Sequence, residues 1–271
     1  MDQDVINKIL AFFAEYITPY LTADYQGEAF HLFDTIHFAA LGAILLIILL
    51  LAISREKFSK RNKENFRDTA AAILLVNEVA WHLWAYFYSE WTIQKMLPLH
   101  LCSILIWLSA WMLIKKSYRI YEFAYFLGIG SALQALLTPD IGIYGFPHFR
   151  FFQTFISHGF IIIAALYMTL VEEMRPTWKS LLRVFIITNI YMVAVYFINA
   201  YIGSNYLYLN HKPPTTSILD ALPAWPIYLL YMEALGIVTS IILYIPFVIK
   251  DWSDNRGLKE AGTDRLDDIL Y

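Results

Sequence analysis

The sequence predicts an all-α, polytopic helical membrane protein with about seven transmembrane helices. Three observations predict it. Hydrophobic residues fill 59% of the 271 positions and mean hydropathy is +0.51, outside the soluble range. Apolar runs recur along the whole chain, each near the roughly 20 residues that cross about 30 Å of hydrocarbon. The runs are also too long and continuous for barrel strands, the other closed structure that lipid tolerates.

The opening residues, MDQDVINKIL, lack the basic start and small-residue cleavage site of a secretory signal, so the first span is expected to direct insertion and stay in place. Residues 1–31 are expected to form an amphipathic, interfacial segment. Its helix, over 3–21, ends near Pro19, and Lys8 and Glu15 are too costly for a deep span. Spans are expected over about 32–53, 69–89, 97–114, 120–138, 149–171, 181–202 and 225–249. No linker divides them and no internal repeat is visible, which gives one transmembrane domain, 32–250, followed by a cytoplasmic tail, 251–271, with the acidic stretch TDRLDDIL.

Lysine and arginine set the orientation. The loop SREKFSKRNKENFRD carries six of them, and Lys115, Lys116, Arg119, Arg175, Lys179, Arg183, Lys250, Arg256, Lys259 and Arg265 lie on the same side. The opposite side holds only Lys8, Lys95, Arg150 and Lys212 of the chain's 20 Lys and Arg. That asymmetry places the N-terminus outside and the C-terminus in the cytoplasm, and it requires an odd number of spans. The outer loops, TPDIGIYGFPHFR and YIGSNYLYLNHKPPTTSILDALPAWP, are rich in proline, glycine, asparagine and aromatics, as ordered turns are.

Ionisable groups inside spans are expensive, so each needs an account. Running each helix in its expected direction puts nearly all of them in the outer half of the bilayer: His37; Glu78 with His82 at i+4; His100 and Cys102; Gln134; Arg150, Gln153 and His158; Asn199; and Glu233, with Asn205 just beyond. One cavity open to the outer side accounts for them together. Taken singly, an intramembrane histidine or asparagine as often just bonds a neighbouring helix. Glu78 and His82 suit a structural pair or a proton relay, and Arg150 suits snorkelling to headgroups. The abundant Trp, Tyr and Phe read mostly as interfacial belt and packing.

Cys102 is the only cysteine, which excludes an internal disulfide and a multi-cysteine metal cluster. It is the one strong nucleophile at the right level, and a histidine beside it would deprotonate the thiol and later protonate a leaving alcohol. His100, two positions away, points about 200° around the helix from it. His158 matches better, at roughly 12 Å depth against roughly 8 Å for Cys102. A cysteine packed as a small apolar residue is the commoner case, and both readings stand. His37, His82, His100 and His158 with Glu78 or Glu233 are numerous enough for a zinc centre, but no sequential ligand motif supports one, and no metal or other cofactor is expected.

The segments LPLHLCSI (97–104), GSALQALLTPD (130–140) and FPHFRFFQTFISHG (146–159), then NAYIGSNYLYL, KPP and LPAWPIYLL within 199–230, carry a resemblance. In order over about residues 30–250 the chain resembles the YwaF-like bacterial integral membrane family, which is similar to the eukaryotic transmembrane protein 164 group of membrane phospholipid acyltransferases. The resemblance implies a catalytic cysteine at Cys102 in LHLCSI and a catalytic histidine at His158 in ISHG.

The expected function is therefore a lipid acyltransferase of a bacterial plasma membrane. Cys102 and His158 would move an acyl chain from a phospholipid to an acceptor lipid, with His37, His100, Gln134, Arg150, Gln153, Asn199 and Asn205 holding the substrate. A metal-dependent intramembrane hydrolase and a non-enzymatic lipid-binding or transport protein are the alternatives. A transporter should line both halves with polar groups, whereas here the inner halves are nearly pure apolar with Asn189 the main exception. Membrane phospholipids are the expected partners, no nucleic acid is, and the sequence names no protein partner.

Overall fold

The computed structural model describes residues 3–212 and 221–267, so the part of the second outer loop over 213–220 and the last residues of the acidic tail lie outside the described residues. The described chain is helical and contains no strand. Its main elements are α1 (Gln3–Phe12), α2 (Thr35–Ser54), α3 (Lys60–Tyr88), α4 (Leu101–Lys115), α5 (Tyr118–Leu137), α6 (Phe149–Leu170), α7 (Trp178–Ile202) and α8 (Ile227–Asp267). Six of these, α2, α3, α5, α6, α7 and α8, have a stretch long and apolar enough to cross a membrane, and α4 is a shorter apolar helix. The protein is a multi-pass helical membrane protein.

Helix α6 is the axis of the bundle. It is apolar around its whole circumference in its second half, and Phe151, Phe155, Ile161, Ala164, Ala165 and Met168 are all buried. Helices α2, α3, α4 and α5 pack around it. Close approach depends on small residues: a Cβ on Gly128 of α5 would meet Ile161 at 3.1 Å, and one on Gly159 would meet Ile44 of α2 at 3.0 Å. Within α5 the turn Ala124–Gly128 widens to a π-helix, which realigns the residues that follow it.

The span expected over 97–114 is corrected by the structure. Residues 89–100 are not helical, and α4 begins only at Leu101. His100 is thus the cap residue before the helix rather than part of its first turn. At 15 residues α4 is about 22 Å long, too short for about 30 Å of hydrocarbon. The backbone ahead of it is satisfied by tyrosines from the neighbouring wall. Tyr206 Oη accepts from the Leu97 amide at 2.8 Å and donates to the Ile93 carbonyl at 2.7 Å, and Tyr191 Oη donates to the Leu99 carbonyl at 2.8 Å.

The segment after α1 docks across the outer end of the bundle. Trp84 Nε1 donates to the Leu21 carbonyl at 2.7 Å, and Tyr144 Oη to Ala23 at 3.1 Å. The Phe30 amide donates to Gly142 at 3.2 Å, and Gly145 is required because its Cβ would lie 2.3 Å from the Glu28 carbonyl oxygen. His148 joins both parts: its Nδ1 caps α6 by accepting from the Arg150 amide at 3.1 Å, which leaves Nε2–H to donate to the Thr22 carbonyl at 3.1 Å.

At the end of the bundle that carries most of the lysines and arginines, these residues do more than signal orientation. Arg67 and Lys116 converge on Glu172. Glu122 of α5 is fully buried, accepts from Ser180 at 2.5 Å and pairs with Arg183, both on α7. Helix α7 starts from a capping box between Thr177 and Ser180 and stops at Gly203, whose φ of +69° suits glycine. Helix α8 runs on as one helix from its spanning stretch Ile227–Ser253 through Asp267, with Pro246 inside it.

Two outcomes follow from these ties. Glu122→Ala leaves Arg183 and Ser180 without their partner. Because Arg183 is still 32% exposed, the loss should fall at the lower end of the roughly 3–5 kcal/mol for breaking a buried ion pair, seen as a lower melting temperature in detergent. Burial, with the nearby Arg150 charge, holds His148 below its ordinary value of 6.5, against the opposing pull of the Thr22 carbonyl. Folding therefore favours the neutral ring. The stability it contributes is complete above the unfolded value and is lost as pH falls below 6.5, because the unfolded chain takes up the proton first. Amide protection factors over residues 21–28, corrected for the intrinsic slowing of exchange in acid, should fall between neutral pH and about pH 5.5, and His148→Gln should remove that pH dependence.

Candidate functional site

A cavity of about 960 Å³ lies between the core helices α3 to α6 and the wall made by α7 and α8. That is at the upper end of the roughly 300–1,000 Å³ of small-molecule sites. Of the residues singled out in the sequence, Glu78, His100, Cys102, Gln134, Arg150, Gln153, His158 and Glu233 line it.

Cys102 is the second residue of α4, and its thiol lies beside the His158 imidazole and the Ser131 hydroxyl, close enough to interact with both. His158 Nδ1 is 2.8 Å from the Thr154 carbonyl oxygen one turn back on α6. A carbonyl only accepts, so Nδ1 carries the proton and Nε2 is left as the acceptor for the thiol. The order is nucleophile, base, and a third group that orients the base, with a backbone carbonyl as the third group. The late start of α4 adds to this. The first amide bonded within the helix is that of Ile104, to the His100 carbonyl at 3.0 Å. The amides of Leu101, Cys102 and Ser103 have no intrahelical acceptor and present the positive end of the helix beside the sulfur.

Above the thiol the wall is charged. The Arg150 guanidinium stacks over Trp81 with its carbon 3.9 Å from the ring centroid, donates to Gln153 Oε1, and sits in the field of Glu78 and Asp140. Gln153 Nε2 donates to Ser157 at 3.0 Å, and Asn77 of α3 donates to the Gln153 carbonyl at 3.0 Å and to Ser157 at 2.8 Å. This network locks the face of α6 that carries His158. His100 accepts from the Leu207 amide at 3.4 Å and packs against Tyr206 and Tyr208, so it shapes the cavity wall.

The other four residues lie away from the cavity. His37 is fully buried with both ring nitrogens used: Nδ1 accepts from the Phe33 amide at 2.9 Å, and Nε2 donates to the Leu136 carbonyl at 2.8 Å. It ties α2 to α5. His82 Nδ1 accepts from Trp91 at 3.0 Å, so Nε2–H faces Glu78 across 3.6 Å. Asn199 folds the turn after α7, donating to the Tyr206 carbonyl at 2.9 Å and accepting from its amide at 2.8 Å. Asn205 does the same for the next turn, donating to the His211 carbonyl at 2.7 Å. His37, Asn199 and Asn205 thus bond chiefly backbone groups, and His82 bonds the Trp91 and Glu78 side chains.

Sequence reasoning passed over Asn77, Trp81, Ser131, Ser157 and Asp140. Asn77 is a polar residue inside an apolar span beside Glu78, so the depth argument already applied to Glu78 would have found it. Ser131 lies three positions before Gln134, on the same helix face. Trp81 gave no signal among so many aromatics. Among the described residues no three His, Cys, Asp or Glu side chains are grouped as ligands for a metal ion; His100 and His158 line the cavity, and His37 and His82 do not.

Residues 32–244 match the model of the TMEM164 family, which bears out that part of the resemblance read in the motifs. No curated protein and no solved structure matches the chain. The family match covers most of the chain and contains every residue of the cavity wall except Phe30. The chain belongs to the TMEM164 family.

Proposed function

We propose that this protein is a membrane acyltransferase that uses Cys102 and His158 to move an acyl chain between lipids. The single observation that carries the reading is the placement of Cys102 beside His158, whose ring is oriented by the Thr154 carbonyl, in a lipid-sized cavity. Arg150, Gln134 and Gln153 then face the phospholipid headgroup, and the family resemblance and the charge asymmetry suggest a bacterial plasma membrane with the site toward the outside.

The chemistry balances over two half-reactions. His158 Nε2 takes the thiol proton, and the thiolate attacks the ester carbonyl of the donor lipid. The free amides at the start of α4 receive the negative charge that develops on the carbonyl oxygen. The ester C–O bond breaks, the lyso-lipid oxygen takes the proton from the imidazolium, and the acyl group remains as a thioester on Cys102. The acceptor hydroxyl then gives its proton to His158 and attacks the thioester, and the thiolate leaves and recovers that proton. The Ser131 hydroxyl, which donates to the Leu127 carbonyl at 2.7 Å, turns to the sulfur whenever it is anionic.

A second reading has one observation in its favour. The cavity continues down α7 to Leu181, well past the outer half expected from the polar residues, so a lipid-binding or transport role fits its depth. The two are separated by one experiment. With a phospholipid labelled in its acyl chain, the purified protein should acquire a hydroxylamine-labile label. Cys102→Ala should abolish both the label and the transfer, and His158→Gln should slow transfer by about 10²–10⁴-fold. Unchanged lipid transfer by the Cys102→Ala protein would sink the acyltransferase and leave the transport reading.

A further inference from the structure

The polar groups at the thiol account for only the upper part of the cavity; the lower part is apolar and directional. On α7 the cavity touches Leu181, Val184, Phe185, Thr188, Asn189 and Met192, a 3–4 spacing that makes one continuous stripe. The level of this stripe is set by Tyr191, whose hydroxyl holds the Leu99 carbonyl just ahead of α4. Met192 therefore lies near the level of the Cys102 turn, and Leu181 lies eleven residues, about 16 Å, below it.

Two other walls change character in the same sense. On α5 Gln134 and Ser131 give way to Leu127, and on α8 Glu233 gives way to Ile237. The polar side chains that remain low in the cavity are mostly turned back on their own helices: Asn189 donates to the Phe185 carbonyl at 3.1 Å and Ser240 to Gly236 at 2.8 Å. At the level of Leu181 the neighbouring Ser180 and Arg183 are bound to the buried Glu122 of α5, so a charged knot ties α5 to α7 where the lining ends.

We infer that the lower cavity is a blind socket for one straight acyl chain, and that Val184 and Leu181 at its floor set the longest chain it takes. The inference rests on the acyltransferase reading for its purpose but not for its geometry. A depth of about 16 Å is that of one leaflet, half of the roughly 30 Å hydrocarbon core. With a C–C bond of ~1.52 Å opened to ~111°, each methylene advances ~1.25 Å, so the socket holds about thirteen methylenes beyond the carbonyl at the thiol. A saturated chain anchored at Cys102 thus reaches the floor at the length of a common membrane acyl group.

The test separates the socket from the chemistry. The full chain carrying Cys102→Ala is purified in detergent, and its affinity is measured for a ladder of saturated fatty acids. Affinity should rise roughly fourfold per methylene while each one is buried. It should then level off at about thirteen. Val184→Trp raises the floor by about one helical turn and should bring that limit down by three to five methylenes, about 5 Å. Val184→Ala should move it the other way, and decides the matter if the tryptophan variant does not fold. Affinity that ignores chain length, or a limit that neither variant moves, would overturn the socket. A limit that moves as expected, in a protein whose wild-type form transfers no acyl group, would instead overturn the acyltransferase reading and keep the socket.

Discussion

A backbone surrounded by hydrocarbon has no water to bond, so every amide and carbonyl must find a partner within the protein. Residues 89–100 meet that demand without forming a helix. Tyr206 and Tyr191 reach across from the α7 wall and take up the amide of Leu97 and the carbonyls of Ile93 and Leu99. This moves the start of α4 down into the membrane. The amides of Leu101, Cys102 and Ser103, which have no acceptor within the helix, then lie at the thiol, where a helix begun earlier would have placed its interior turns. The position of Cys102, the positive end of its helix and the upper limit of the cavity all come from two tyrosine hydroxyls.

The second half of the site is held by the most enclosed element. Helix α6 carries Arg150, Gln153, Thr154 and His158 on one face, and its other faces are packed in the core. A base on such a helix has little freedom, and the Gln153–Ser157–Asn77 bonds remove more. The walls opposite are built differently. Helix α7 is tied at its base through Glu122 and near its top through Tyr191, while its middle faces the cavity. Firm reacting groups thus face a wall that is fastened chiefly at its two ends.

Much of this was legible in the residues because lipid is a severe solvent. Long apolar runs, the distribution of lysine and arginine, and the cost of a buried Glu or Arg each leave a mark in the sequence, and they located the long spans and eight residues of the cavity wall. The pairing of Cys102 with His158 could be framed from depth but was carried by the motif resemblance, since depth says nothing of which faces meet. His37 and Asn199 were illegible for a different reason. A side chain that bonds a distant or neighbouring carbonyl has the same composition signal as one that bonds a ligand, and only the fold reveals Leu136 or Tyr206 as its partner. The late start of α4 was hidden because LPLHL is as hydrophobic as the helix it precedes. The apolar part of the cavity was hidden because Leu181, Val184 and Phe185 look like any lipid-facing residues until the fold turns them toward α5 and α8.

Cys102 is the chain's single cysteine, and it stands where the charged mouth of the cavity meets its apolar depth. Any thiol-directed reagent that reacts with the folded protein reports on that boundary and on nothing else, with no background to subtract and no second site to mutate away. Arg150 and Asp140 line the same cavity, so the rates of an anionic and a cationic maleimide of equal size gauge the field around the thiol, a readout built into the molecule by the scarcity of its sulfur.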